Sequence, residues 1–172
     1  MFTITRIVCM QKRAFTLIEL LIVIAIVAIL ATATFVALDP LIRFKDARDT
    51  RRRTDIAAIM SAVKINQVDN RGAFLPAIGA LAVDSVNMIG TDSSACDSFN
   101  AFCDTAVTSS ASCADLSEFT TRGYLGSVPV SPNGGGGWSV GHTGYTIQRS
   151  SVGIITIRAC ESENSDEILI SQ

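Results

Sequence analysis

Three groups of residues in this chain have the types and spacing for chemistry. The first is Gly137-Trp138-Ser139-Val140-Gly141, which has G-x-S-x-G spacing and is followed at once by His142. Such a nucleophile elbow works when a strand enters it and a helix leaves it, with an imidazole and its carboxylate arriving from elsewhere in the fold. Here the run Gly134 to Gly137 leads in and a β-like run follows. His142 is the chain's one histidine, and no acid lies between it and Ser139. The stretch therefore reads as a flexible loop ending in a strand, with His142 a surface loop residue and no catalytic residue. The chain also has no GxxxxGK[ST] phosphate loop and no H-E-x-x-H sequence, so neither a nucleotide site nor that zinc-protease site is expected.

The second group is Cys96, Cys103, Cys113 and Cys160, with Cys9 far upstream. A zinc site would call for close ligand pairs, and no C-x-x-C spacing occurs. Four cysteines in a small extracytoplasmic domain read instead as two disulfides with three possible pairings. A bridge from Cys113 to Cys160 would close a long loop and contribute about 4 kcal/mol in the chain-entropy description. No metal, cofactor or small-molecule substrate is expected.

The third is a single carboxylate. From Phe15 to Leu38 the chain reads FTLIELLIVIAIVAILATATFVAL, 24 residues whose one charge is Glu19. As a helix this run is roughly 36 Å long, enough to cross a hydrocarbon core of ~30 Å. An acid inside such a run costs a few kcal/mol in lipid unless it is paired, so it marks function. The competing reading is a carboxylate that reaches the headgroups and has no partner.

The residues around Glu19 decide between these readings. Lys12-Arg13-Ala14-Phe15-Thr16-Leu17-Ile18-Glu19-Leu20-Leu21 resembles the processing site of bacterial type IV pilins and the related pseudopilins. That family has a small residue, then Phe, then T-L-I-E-L and an unbroken apolar run. The resemblance covers about 25 contiguous residues. Two departures are visible: Ala14 stands where the family nearly always has Gly, and no proline occurs within the span. The resemblance implies cleavage between Ala14 and Phe15 by prepilin peptidase, N-methylation of Phe15, and assembly guided by Glu19. In the family that carboxylate meets the N-terminal amine of a neighbouring subunit.

The elements that must position these groups follow from periodicity and charge. Residues 1–14 hold three basic side chains and no acid, whereas residues 72–172 hold three arginines against ten acids. Basic residues before an apolar span stay in the cytoplasm, so the acidic part is expected outside it. Leu41, Phe44, Ala47, Ile56, Ile59, Met60 and Val63 fall mostly at spacings of three and four, marking an amphipathic continuation over 39–71. Pro40 should bend it, and Gly72 suits the left-handed position after its last turn. Asp49 with Arg53, and Arg51 with Asp55, read as i,i+4 pairs on a solvated face. The cluster Arg43, Lys45, Arg48, Arg51, Arg52 and Arg53 could suit DNA or anionic lipid, but interleaved acids favour that same salt-bridged face.

Residues 73–121 read as a long connection, with a short helix over 114–119. Period-two runs at 145–148 and 154–158 then form a hairpin, and 167–170 adds a third strand. The fold class expected is α+β: a long N-terminal helix packed on a small antiparallel sheet, divided into a leader (1–14), a transmembrane and assembly helix (15–38), its amphipathic continuation (39–71) and a disulfide-bonded head (72–172). A 172-residue chain organised this way excludes a multidomain enzyme and a multi-span channel or transporter.

The function implied by the resemblance is a structural subunit of a type IV pilus-like fibre, a homopolymer or a co-polymer with other pilins. Its partners would be prepilin peptidase and an inner-membrane assembly platform with a cytoplasmic ATPase. It would sit in the inner membrane before assembly and on the cell surface afterwards. A type II secretion or competence pseudopilin is the nearest alternative. From other classes come a secreted or anchored binding module, with Ala31-Thr32-Ala33 as a signal-peptide cleavage site, and an anchored hydrolase.

Overall fold

The computed structural model describes residues 15–165 and 167–172. Helix α1 spans Leu17–Leu38 and helix α2 spans Pro40–Asp69. The described residues fall into two compact units, one that carries α1 and ends at Pro40, and one that runs from Leu41 to Gln172 and carries the rest of α2 and the sheet. The expected long N-terminal helix runs over Leu17–Asp69, with one interruption, at Asp39, where the sequence predicts a bend at Pro40. Asp39 leaves helical geometry altogether, with φ 37° and ψ 73°, and Pro40 starts α2. The pyrrolidine ring disfavours helical backbone in the residue before it, and aspartate tolerates the left-handed region better than most side chains. A proline at the first helical position lacks only a donor that would have gone unpaired anyway.

All of α1 is apolar apart from its threonines and Glu19, and none of its residues is buried. A helix that is hydrophobic on every side belongs in lipid or against other helices. At about 1.5 Å per residue its 22 residues make roughly 33 Å, a match to the hydrocarbon core.

The second unit is the head. Strands β1 (Val86–Met88), β2 (Tyr145–Arg149), β3 (Ile155–Ala159) and β4 (Leu169–Ser171) form one antiparallel sheet in the order β1-β2-β3-β4. Ile59, Met60, Ala62 and Val63 of α2 pack with Tyr145, Ile147, Ile155 and Ile157 in the main core. Short helices α3 (Pro76–Gly79) and α4 (Ser117–Thr121) add Ile78 and Phe119 to it. Met88 pairs with Thr146, so it points to the opposite face of the sheet from Ile147. There it joins Cys96, Cys160, Phe99 and Trp138 in a second, smaller cluster.

Several sequence expectations need correction. The connection 73–121 is not a bare loop: it contains α3, β1, a 3₁₀ helix at Cys96–Phe102, and α4, which begins at Ser117 and not at 114. Leu41, Phe44 and Ala47 are exposed, and the buried face of α2 starts at Asp49 and Arg52. The C-terminal end of α2 behaves as expected, with Gly72 at φ 89° donating to the Gln67 carbonyl at 2.7 Å.

Candidate assembly site

Thr16 caps α1, and its partner is Glu19. The Glu19 amide donates to Thr16 Oγ1 at 3.3 Å, while the Thr16 amide and hydroxyl donate to Glu19 Oε2 at 3.1 and 3.0 Å. This reciprocal box satisfies helix donors that would otherwise be orphaned, and it places a negative charge at the positive end of the helix dipole. The carboxylate thus has an intramolecular partner, which the sequence-based choice between a neighbouring amine and no partner did not include. Phe15 precedes the cap and is 85% exposed. Ala14 and the leader lie outside the described residues.

In the head, the expected pairing of Asp49 with Arg53 is replaced by a buried network. Arg52 is 1% exposed and uses its whole guanidinium. Nε donates to Ser131 Oγ at 3.1 Å; Nη1 donates to Asp49 at 2.8 Å and Glu163 at 2.9 Å; Nη2 donates to the carbonyls of Pro132 and Asn133. Asp49 accepts in turn from the amides of Glu163 and Asn164 and the hydroxyl of Ser165. Arg48 forms a two-pronged pair with Glu163. Together these bonds tie residues 131–133 and 163–165 to α2. Arg51 and Asp55 do meet, at 3.8 Å, and Asp55 also accepts from the Tyr145 hydroxyl at 2.7 Å. Burial and that bond push the Tyr145 phenol well above its ordinary range.

Asp49 and Glu163 both titrate below their ordinary values of 3.8 and 4.5. Burial works against the Asp49 charge, but the Asn164 and Glu163 amides, Arg52 and Ser165 outweigh it. For Glu163 the hydrogen bond from Arg48 dominates, opposed by burial and aided by Arg52. A depressed folded-state value contributes stability that is complete above the unfolded value and lost as pH falls through the folded one. The urea midpoint is therefore expected to be flat from pH 7 to about 5 and to drop below about pH 4. Asp49→Asn with Glu163→Gln should flatten that drop; an unchanged acid limb in the double variant would remove the network as its cause.

The four head cysteines form two interleaved bridges, Cys96–Cys113 and Cys103–Cys160. No bridge joins Cys113 to Cys160, the pair used above to illustrate a long loop. The G-x-S-x-G stretch lies in irregular backbone with no helix after Ser139, and its hydroxyl oxygen accepts from the Gly141 amide at 3.2 Å. His142 is not a surface loop residue. Its side chain is 15% exposed, Nδ1 lies 2.9 Å from Asp92, and the ring stacks on Phe99 with centroids 3.5 Å apart. An imidazole backed by a carboxylate is thus present, but among the described residues no hydrogen bond joins it to the Ser139 hydroxyl. The glycine run wraps Trp138, whose indole N–H donates to Glu161 at 2.6 Å. Gly144, at φ 76°, lies so close that a Cβ there would sit 2.6 Å from the indole ring. Among the described residues no cluster of metal-ligating side chains occurs.

Sequence reasoning missed Asp49 and Arg52 as buried groups, although a signal was present. Positions 49, 52, 56, 59, 63 and 66 run at spacings of three and four, and all six are buried. Reading only apolar residues placed Ile56, Ile59, Met60 and Val63 correctly but extended the stripe through the exposed Leu41, Phe44 and Ala47.

The exposed apolar helix, its capped acid and the four-stranded head define a class of protein: an α+β domain carried on an N-terminal membrane helix. Residues 9–35 match the family described as the prokaryotic N-terminal methylation motif, so the chain carries the hallmark of type IV pilins and pseudopilins. No curated protein and no solved structure matches it. The motif supports, in general terms, a pilin-like or pseudopilin-like structural subunit. It fits a membrane-anchored protein: among the described residues one helix, near the N-terminus, is long and apolar enough to span a bilayer.

Proposed function

We propose that this chain is a fibre-forming subunit, cut between Ala14 and Phe15, N-methylated at Phe15 and polymerised through α1. The observation that carries the reading is the methylation motif at 9–35 beginning a helix with no buried residue. On this reading α1 is a membrane span while the subunit waits and a fibre core after assembly, and residues 72–172 form the acidic, disulfide-bonded surface. The capping box gives Glu19 a second role. It partners the carboxylate while the helix is in lipid, offsetting part of the cost of carrying an acid there. In the fibre, the N-terminal amine of a neighbour competes for the same oxygens.

Sequencing the mature N-terminus tests processing. A methylated Phe15 is the expected result, and a start at Thr34 would replace this reading with a secreted protein. Glu19 is tested by two substitutions. Glu19→Gln can keep the box, since glutamine also accepts from the cap, but it loses the charge. Both Glu19→Gln and Glu19→Ala are expected to leave cleavage intact and to lower fibre yield on the order of tenfold, the equivalent of about 1.4 kcal/mol per subunit. If Glu19→Gln makes fibres at the wild-type level, the carboxylate serves as a cap alone.

A further inference from the structure

The loop that closes over Arg52 carries an asparagine with unusual exposure. Asn133 lies at the surface, adopts φ 43° and directly precedes Gly134. The chain has five other asparagines, and none of them precedes a glycine. The side chains of Asn70, Asn87, Asn100 and Asn164 each donate to an acceptor, and Asn66 is buried on α2. Among the described residues the Asn133 side chain makes no hydrogen bond, and the Gly134 amide donates to no acceptor. A free carboxamide therefore stands beside a free backbone nitrogen that no β-carbon crowds. The fold requires that glycine. Gly134 has φ 157°, and a Cβ there would collide with the Glu161 carboxylate and the Trp138 indole. The loop that shapes the Trp138 pocket thus keeps the least protective neighbour next to Asn133.

We infer that Asn133 is a self-modification site, converted by its own backbone and water to isoaspartate. The Gly134 amide gives its proton to hydroxide, and its nitrogen attacks Cγ of Asn133. The bond from Cγ to the side-chain nitrogen breaks, that nitrogen takes a proton from water and leaves as ammonia, and a five-membered succinimide remains. Water then opens the ring at one of two carbonyl carbons. Addition at Cγ gives aspartate. Addition at the main-chain carbonyl carbon breaks its bond to the Gly134 nitrogen and gives isoaspartate, with the chain running through Cβ and Cγ. Neither route needs an oxidant, a reductant or an enzyme. Arg52 favours the second: its Nη2 donates to the Asn133 carbonyl oxygen at 3.2 Å, and a cationic donor stabilises the negative charge that builds there as water adds. The former carbonyl then becomes a carboxylate. Arg52 already holds Asp49 and Glu163, so the product brings a third carboxylate to one guanidinium.

The test uses the unaltered full chain, purified in detergent and incubated folded in heavy-oxygen water. Peptide mapping by mass spectrometry then follows the exchange of a side-chain nitrogen for a labelled oxygen at each asparagine. Asn133 is expected to convert at least about tenfold faster than any other asparagine. Its rate should rise about tenfold per pH unit near neutrality, because the attacking form is the deprotonated amide. Electron-transfer fragmentation, which separates isoaspartate from aspartate by the extra main-chain methylene, should show isoaspartate as the main product. Asn133→Gln should remove the labelled product, since glutamine would have to close a six-membered ring. No label at Asn133 in the folded chain, equal label at all the asparagines, or aspartate as the main product would each overturn the inference.

Discussion

Arg52→Met is expected to lower the unfolding free energy of the head by about 3–5 kcal/mol, the usual cost of removing one partner from a buried ion pair. The guanidinium is 1% exposed and every one of its donors has an acceptor. Methionine fills much of the volume but leaves Asp49, itself 4% exposed, with a charge held only by amides and a hydroxyl. It also strands the Pro132 and Asn133 carbonyls. A total stability of about 5–15 kcal/mol makes this a large fraction of the whole. Arg52→Lys should recover only part of the loss, because an ammonium cannot span the same fork of acceptors. Asp49→Leu together with Arg52→Met should cost less than the sum of the single changes, since an isolated charge is worse than none. Urea unfolding of the full chain in detergent, followed at Trp138, measures all three. A loss below about 1 kcal/mol for Arg52→Met would mean that the network is dispensable.

The second large effect belongs to a disulfide. Cys103 and Cys160 are 57 residues apart and Cys96 and Cys113 are 17 apart. In the chain-entropy description their bridges contribute about 4 and about 3 kcal/mol respectively. Replacing Cys103 and Cys160 with alanine should therefore cost more than replacing Cys96 and Cys113. The longer bridge also anchors the end of β3 to the segment after the 3₁₀ helix, where the Asp104 amide donates to the Cys160 carbonyl at 2.6 Å. Ser162 donates back to Asp104, so the pair is expected to release a whole strap when cut. Comparing urea midpoints of the two alanine pairs checks the order. Equal losses would argue that loop length does not set the effect.

Which parts of this molecule could be read from sequence follows the range of the interactions involved. The apolar run of α1, the T-L-I-E-L motif, the Gly72 stop and the β2–β3 hairpin each depend on neighbours a few residues apart. Periodicity and turn chemistry report such neighbours directly. β1 was illegible for the opposite reason. Val86-Asn87-Met88 has no alternation long enough to notice, and it is a strand only because it pairs with Thr146 to Gln148. His142 was misplaced in the same way: Asp92, fifty residues away in the chain, fixes its imidazole.

By itself, then, the sequence determined an N-terminal helix that must leave water, its single acid, the methylation motif around that acid, and an acidic α+β head. Glu19's partner Thr16 belongs with the legible part: it lies three residues away, in the T-x-x-E spacing of a capping box. The tertiary structure alone decided how the cysteines pair and which distant groups close over Asp49 and Arg52. The cysteine and Arg52 partners lie between 17 and 111 residues apart, or within one turn for Asp49. Burial is what turned these charged residues from a solvated stripe into a core. It depends on which surfaces close over a helix face, and the spacing of residues along one helix carries no record of what packs against it.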